Sequence, residues 1–143
     1  MRRGSLIVNI SAASGLNIAG QITLEAWVKP SATQGTPANI IAHGPTSDDA
    51  AGVSLRLLDG TTYAVGSFDG TAHEATAAIP DTDLDGNTWV HLAGTYDGAK
   101  WNLYRNGVLL ASKTDAIGAL ALEADWAIGQ RARGVGQAFA GAV

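Results

Sequence analysis

The sequence predicts an all-β domain, an antiparallel sandwich of two sheets. Three observations carry that prediction. Residues 88–113, TWVHLAGTYDGAKWNLYRNGVLLASK, hold three strand-like runs broken by Asp97-Gly98 and Asn106-Gly107. Asp-Gly and Asn-Gly between apolar runs are the strongest short-range hairpin signals, because a type I′ turn needs positive φ at both central residues. Residues 22–29 alternate with period two: Ile22, Leu24, Ala26 and Val28 face one way, and Thr23, Glu25, Trp27 and Lys29 the other, as in a half-buried strand. Finally, charged residues are only 15% of the chain while 18 of its 143 residues are glycine. Helices usually carry a charged solvent face, so this balance favours short strands and turns.

The other elements follow in order. Residues 5–10 are a short β-prone run, and residues 11–20 a small polar loop. Pro30 ends the alternating strand by removing a ladder donor. Residues 40–43 form a short strand, and 44–52, GPTSDDAAG, an exposed acidic loop. Strands at 53–58 and 62–68 meet at Asp59-Gly60; Asp69-Gly70 turns the chain into a strand at 73–79. Residues 80–87 are acidic and turn-rich. After the three-stranded meander, residues 116–124 offer at most one helical turn, 126–129 a strand, 131–137 a loop and 139–143 a last strand. About ten short strands with frequent turn signals read as a sandwich.

Composition excludes several functions. One domain accounts for the whole length. A net charge of −4 offers no basic surface to nucleic acid, and no apolar run approaches the ~18 residues needed to cross a bilayer. With no cysteine, disulfides and thiolate metal sites are out. His43, His73 and His91 are isolated and form no metal-ligand pair.

The segments ITLEAWVKP (22–30), NTWVHLAGTYDG (87–98), WNLYRNGVLLAS (101–112), AIG (127–129) and FAG (139–141) occur in this order. Together they resemble the laminin-G-like, concanavalin A-like lectin/glucanase superfamily, above all its bacterial laminin-G-type modules. The resemblance spans residues 6–141 and implies a concanavalin A-like jelly roll. It implies an extracellular or cell-surface recognition module whose default ligand is a glycan. It also implies a final strand of the type D-E-V-x-I-Y after F-x-G, so residues 1–143 read as a single domain lacking that edge strand. An open edge is a template for self-association or for a strand-donating partner. Trp27, Trp89 and Trp101 lie within predicted strands, where indoles fill a sandwich core.

Candidate chemistry rests on few residues. A sugar ring stacks on an aromatic side chain that the core does not need; Trp126, Tyr63 and Phe68 are the candidates, with Arg131 and Arg133 beside Trp126 as hydrogen-bonding partners. Each aromatic could equally belong to the core or the sheet surface. The rim loops 44–52, 69–74 and 131–137 would frame the site. For a metal, Asp81, Asp83 and Asp85 spell D-x-D-x-D-G, a spacing that can wrap Ca²⁺ with carboxylate oxygens. The EF-hand continuation fails, because the twelfth position is Leu92; a solvated acidic turn is the other reading. Asp48 and Asp49 form a second candidate, since related modules hold a rim calcium, with Asp69 able to contribute. Catalysis has one distant candidate, Glu123-Ala124-Asp125, which begins like the paired-carboxylate motif of β-glucanases but lacks its second glutamate. The reading is a non-catalytic glycan-binding module with possible Ca²⁺ support; the alternatives are a structural or adhesion module binding protein or itself through sheet edges, and a divergent glycoside hydrolase.

Overall fold

A computed structural model of the chain describes residues 7–12, 15–44, 51–131 and 137–143. Its strands are β1 (Val8–Ile10), β2 (Ile22–Pro30), β3 (Ala38–His43), β4 (Gly52–Leu57), β5 (Thr62–Phe68), β6 (Ala72–Ala78), β7 (Val90–Tyr96), β8 (Lys100–Arg105), β9 (Val108–Thr114), β10 (Trp126–Ile128) and β11 (Gly141–Ala142). A six-stranded sheet runs β1-β10-β3-β4-β5-β6, and a five-stranded sheet runs β11-β2-β7-β8-β9. All pairings between these strands are antiparallel. The expected two-sheet sandwich is the fold.

The hairpins form by different turn chemistry. Asn106 and Gly107 both have positive φ, 48° and 79°, as a type I′ turn requires. At the other turn only Gly98 does, at 102°. Asp97 instead accepts hydrogen bonds from the Ala99 and Lys100 amides at 2.9 and 2.8 Å, and its own N–H bonds to the Lys100 carbonyl. The turn therefore centres on Gly98-Ala99, and the aspartate acts as its cap rather than as a central residue. Residues 116–124 form no helix. Ala119 is clasped to Gly20 by two backbone hydrogen bonds of 2.8 and 3.0 Å, which holds this connection extended.

The core lies between the sheets and is built by alternation. Val28, Ile40, Val53, Leu55, Leu57, Tyr63, Val65, Val90, Leu92, Trp101 and Leu103 are fully or almost fully buried. Each large apolar side chain so placed contributes about 1.5–3 kcal/mol. Trp101 is the central indole: its Nε1 donates to the Ile117 carbonyl at 2.9 Å and its ring packs 5.1 Å from that of Tyr96. Buried Trp is stable only when this N–H finds a partner. The sheets meet closely at Gly94, where a Cβ would lie 2.1 Å from Cγ2 of Val65.

Two of the three indoles expected in the core are outside it. Trp27 is 59% exposed and Trp89 46%. Trp27 shares parity with Thr23, Glu25 and Lys29 and so faces away from the facing sheet; Trp89 precedes β7 and lies opposite Lys29. The period of the strand decides the face, not the size of the side chain.

Candidate functional site

The outer face of the six-stranded sheet is a concavity of about 400 Å³. Its floor follows from register. Ala42, Ser54, Gly66 and Glu74 form one cross-strand row; Asn39, Arg56, Ala64 and Thr76 form the next; Gly52, Phe68 and Ala72 form a third. Their sequence neighbours Val53, Leu55, Leu57, Tyr63, Val65 and Ala75 point into the core, so these rows must point out. The floor is low because β5 contributes Ala64 and Gly66. A Cβ at Gly66 would lie 2.1 Å from the His73 carbonyl oxygen, so this strand pairing admits only glycine.

That low floor permits an ion pair to span a whole strand. Arg56 on β4 reaches across β5 to Glu74 on β6, its Nη2 bonded to the carboxylate Oε1. The pair is largely sheltered, the side chains being 21% and 9% exposed. Nε of Arg56 and Oε2 of Glu74 are buried and have no hydrogen-bond partner among the described residues. A buried donor and acceptor left open cost stability; the part of the pair that a ligand can meet is the remainder of the guanidinium, since the Arg56 side chain is 21% exposed. Phe68, half-buried, lines the same concavity, as do Lys113, Arg131 and Gln137. Asn39 ties Gln137 in place, through its Nδ2 to Oε1 at 2.8 Å and its backbone N–H to the Gln137 carbonyl at 2.9 Å.

Two histidines of the six-stranded sheet, His43 on β3 and His73 on β6, titrate in opposite senses. His43 lines the concavity and stacks on Trp126, centroids 4.3 Å apart and planes 6° from parallel. Burial lowers its pKa, only partly offset by the Ala124 and Leu122 carbonyls. For His73, burial alone would lower the pKa, but Asp115 and Asp69 outweigh it and the value is raised. Its ring nitrogens lie 2.9 Å from Asp115 Oδ1 and 3.2 Å from Asp69 Oδ1. The stabilisation from His73 is fully present below the ordinary imidazole pKa of about 6.5 and lost as pH rises through the folded value. His43 resists protonation, so its penalty grows as pH falls below about 6.5. His73→Gln should therefore lose most stability on the acid side, and His43→Gln should gain relative stability there. Thermal melts from about pH 5.5 to about pH 8.5 check this: parallel curves for both variants would contradict the assignments.

The structure redistributes the residues singled out in the sequence. Phe68 and Arg131 line the concavity. Tyr63 and Trp126 are buried and offer no free face to a sugar. Tyr63 is fully buried with its hydroxyl donating to Asp83 at 3.0 Å. Trp126 is 7% exposed, its Nε1 donating to the Leu16 carbonyl at 2.9 Å. β10 lies between β1 and β3, which turns this indole inward. Arg133, Asp48 and Asp49 lie outside the described residues.

The D-x-D-x-D-G run adopts a 3-10 turn at Asp81–Leu84, and its three carboxylates do not converge. Asp83 is fully buried and accepts a fork of hydrogen bonds from Arg105: Nε to Oδ2 at 2.7 Å, and Nη2 to Oδ1. Asp85 is exposed and folds back on the Asn87 and Thr88 amides and the Thr88 hydroxyl, each at 2.7 Å. Those bonds, the Thr88 hydroxyl foremost, lower its pKa. Asp81 is exposed. The cation this turn holds is a guanidinium. Asp69 is engaged with His73 and with the Thr71 amide. Among the described residues, no group of three or more His, Cys, Asp or Glu side chains is arranged to hold a metal ion, and no helix is long and apolar enough to cross a membrane.

Arg56, Ser54 and Asn39 escaped the sequence reading, and Glu74 entered it only as the last residue of the rim loop 69–74. The signal available for two of them was a lone charge within an otherwise small or apolar strand: Arg56 in VSLRL and Glu74 in HEATA.

No curated protein matches this chain. Among solved structures, it is similar to the CBM40 of the Ruminococcus gnavus IT-sialidase, bound to alpha2,3 sialyllactose. That likeness has a TM-score of 0.68 and 16% identity, covering 98% of this chain and 89% of that one. It is similar to domain 4 of AbnA, a GH43 extracellular arabinanase from Geobacillus stearothermophilus, in complex with arabinotriose. Here the TM-score is 0.64 and the identity 25%, over 90% of this chain and 59% of that one. Domains LG4-5 of the mouse laminin alpha1 chain share the fold at a TM-score of 0.59 and 14% identity, over 94% of this chain and 36% of theirs. The family profile described as the concanavalin A-like lectin/glucanases superfamily matches residues 4–143. With its two antiparallel sheets and that match across nearly its whole length, the chain belongs to the concanavalin A-like lectin/glucanases superfamily.

Proposed function

We infer that this chain is a non-catalytic saccharide-binding module and that the concavity over β3–β6 is its site. The observation that carries the reading is the Arg56–Glu74 pair. It sets a guanidinium, 21% exposed and bonded to Glu74 through Nη2, beside a carboxylate that is 9% exposed, above a floor of small side chains. A sugar hydroxyl is at once donor and acceptor, so adjacent hydroxyls match that pair. Phe68 offers the nearby apolar surface for a C–H face. Support also comes from the arabinanase domain, 25% identical and solved with arabinotriose. Glu74 is the one carboxylate among the described residues that line the concavity. A module of this kind acts where polysaccharides are met, outside the cell or on its surface.

The test is calorimetric titration of the protein with a panel of oligosaccharides that includes arabinotriose and alpha2,3 sialyllactose. Saturable binding of at least one is expected, and a panel without any binder would sink the reading. Running each titration with Ca²⁺ and with EDTA tests calcium support, which rests on Asp48 and Asp49.

A different observation favours a second reading, adhesion through a sheet edge. β11 pairs only with Lys29 and Pro30 of β2. Among the described residues, no strand lies beside the remaining edge of β2, residues 22–28. An apolar cleft of about 290 Å³, lined by Ile10, Ile18, Leu24, Ile41, Trp126 and Ile128 among others, borders that edge. An added strand would find main-chain partners there and a place for alternate apolar side chains. Concentration-dependent mass in sedimentation would support self-association by this route.

A further inference from the structure

The outer face of the five-stranded sheet carries two indoles that the core does not use, and we propose that Trp27 and Trp89 form a second saccharide site, one that stacks β-linked hexopyranose rings. The sheet register builds it. Trp27 lies opposite His91, and Val28 opposite Val90. Trp89, one residue before Val90, is therefore the diagonal neighbour of Trp27, at a sheet spacing of roughly 7–8 Å. Both side chains stand out from the sheet, 59% and 46% exposed.

The indoles are held and ringed by polar groups. Trp27 leans on the His91 ring, centroids 5.2 Å apart at a 55° tilt. The Lys29 ammonium lies over the Trp89 ring, 5.5 Å from its centre, so a sugar stacking on that face would take the place of the lysine head, which stays within hydrogen-bonding reach of its hydroxyls. Glu25 places a carboxylate oxygen 3.6 Å from His91 Nε2, and its side chain is 65% exposed. The cluster therefore offers two aromatic faces bordered by a carboxylate, an ammonium and an imidazole.

Charge and area together point to a sugar. An indole face is electron-rich, and the C–H groups on the flat face of a β-linked hexopyranose are polarised positive. The hydroxyls around the ring edge need donors and acceptors, which Lys29, His91 and Glu25 supply. A stable protein partner would need about 800 Å² on this side. Two indoles at about 150–250 Å² each, already partly covered, fall well short of that. This site lies on the opposite sheet from the Arg56–Glu74 concavity and stands on separate observations. A module with both could bridge two strands of polysaccharide.

Cellopentaose is the probe, followed by indole fluorescence and by calorimetry on the full chain. The intact protein should bind it saturably with a change in indole emission. Trp27→Ala and Trp89→Ala should each weaken binding at least tenfold. Both residues are exposed, so unchanged melting temperatures would show the variants folded. Arabinotriose or sialyllactose binding, measured in the same variants, should be unaffected, which separates this site from the concavity. The proposal is overturned if the intact protein does not bind cellopentaose, or if the double variant binds it as well as the intact protein does. It is also overturned if Arg56→Ala abolishes that binding, which would place the sugar in the concavity. Sedimentation showing association that only the tryptophan variants abolish would instead make this face a contact between copies, and would overturn it too.

Discussion

Replacing Asp83 with alanine is expected to lower the unfolding free energy by about 3–5 kcal/mol, a large fraction of the stability of a domain this size. The carboxylate is fully buried and holds Arg105 in a bidentate fork while accepting from the Tyr63 hydroxyl. Removing it leaves a guanidinium, 25% exposed, without its bidentate partner and a fully buried phenol without its acceptor. Breaking one side of a pair costs more than the pair contributes net where the groups left behind lose a partner that water does not replace, and here the buried Tyr63 hydroxyl and the inner edge of the guanidinium both lose theirs. Arg105 registers the coupling: the hydrogen bond to Asp83 raises its pKa against the opposing effect of burial. Tyr63 is pushed well up, first by burial and then by the Asp83 charge. The pair also joins distant chain segments, the turn between β6 and β7 and the end of β8 before the Asn106-Gly107 hairpin. At about 2–4 °C per kcal/mol for a domain near this size, Asp83→Ala should melt about 10 °C lower. Asp81→Ala, at an exposed position of the same turn, should stay within about 0.5 kcal/mol. Denaturant unfolding of the two variants checks the contrast. If both were equally mild, the ion pair would not be what organises this turn.

That turn shows where sequence alone stops. Its spacing of three aspartates is legible and suggests a cation. Which cation is a tertiary matter, since Arg105 stands 22 residues away on a strand whose neighbour in space is not written in either segment. The local layers were readable: the alternation at residues 22–29 and the glycine turns set most strands and the two-sheet class. Trp27 was readable as well. Its parity with Thr23, Glu25 and Lys29 placed it outside, and only the expectation that large aromatics fill cores placed it inside. Tyr63 follows the same logic, because the turn at Asp59-Gly60 sets it opposite Leu57, a core residue. Trp126 was not readable, because its burial depends on β10 inserting between β1 and β3. The concavity needed two hairpin registers at once. Arg56 and Glu74 share no hairpin; they meet only because β5 runs between them with Ala64 and Gly66 turned outward.

The same geometry sets the second large expectation. Arg56→Ala should weaken oligosaccharide binding about 10- to 100-fold, as loss of hydrogen bonds to charged groups at about 1.5–3 kcal/mol implies. Glu74→Ala should do likewise, and the double variant should lose less than the sum. Each single substitution removes a ligand contact and also strands the opposite charge, whereas removing both strands none. The fold should tolerate these changes better than it tolerates Asp83→Ala. The two guanidinium groups are similarly exposed, 21% for Arg56 and 25% for Arg105, but Asp83 is fully buried and also serves the buried Tyr63 hydroxyl, whereas Glu74 lies at the wall of an open concavity. Ser54→Leu tests shape independently of charge. Ser54 shares the floor row with Gly66, and a branched side chain there would fill the space where a sugar ring must lie close to the sheet. Binding should be lost with the Arg56–Glu74 pair intact. Calorimetric titration of all four variants decides the matter. Undiminished affinity in Arg56→Ala and in Ser54→Leu together would move the ligand off this face, because no ligand seated between strands β4 and β6 could be indifferent both to the charge above the floor and to the floor itself.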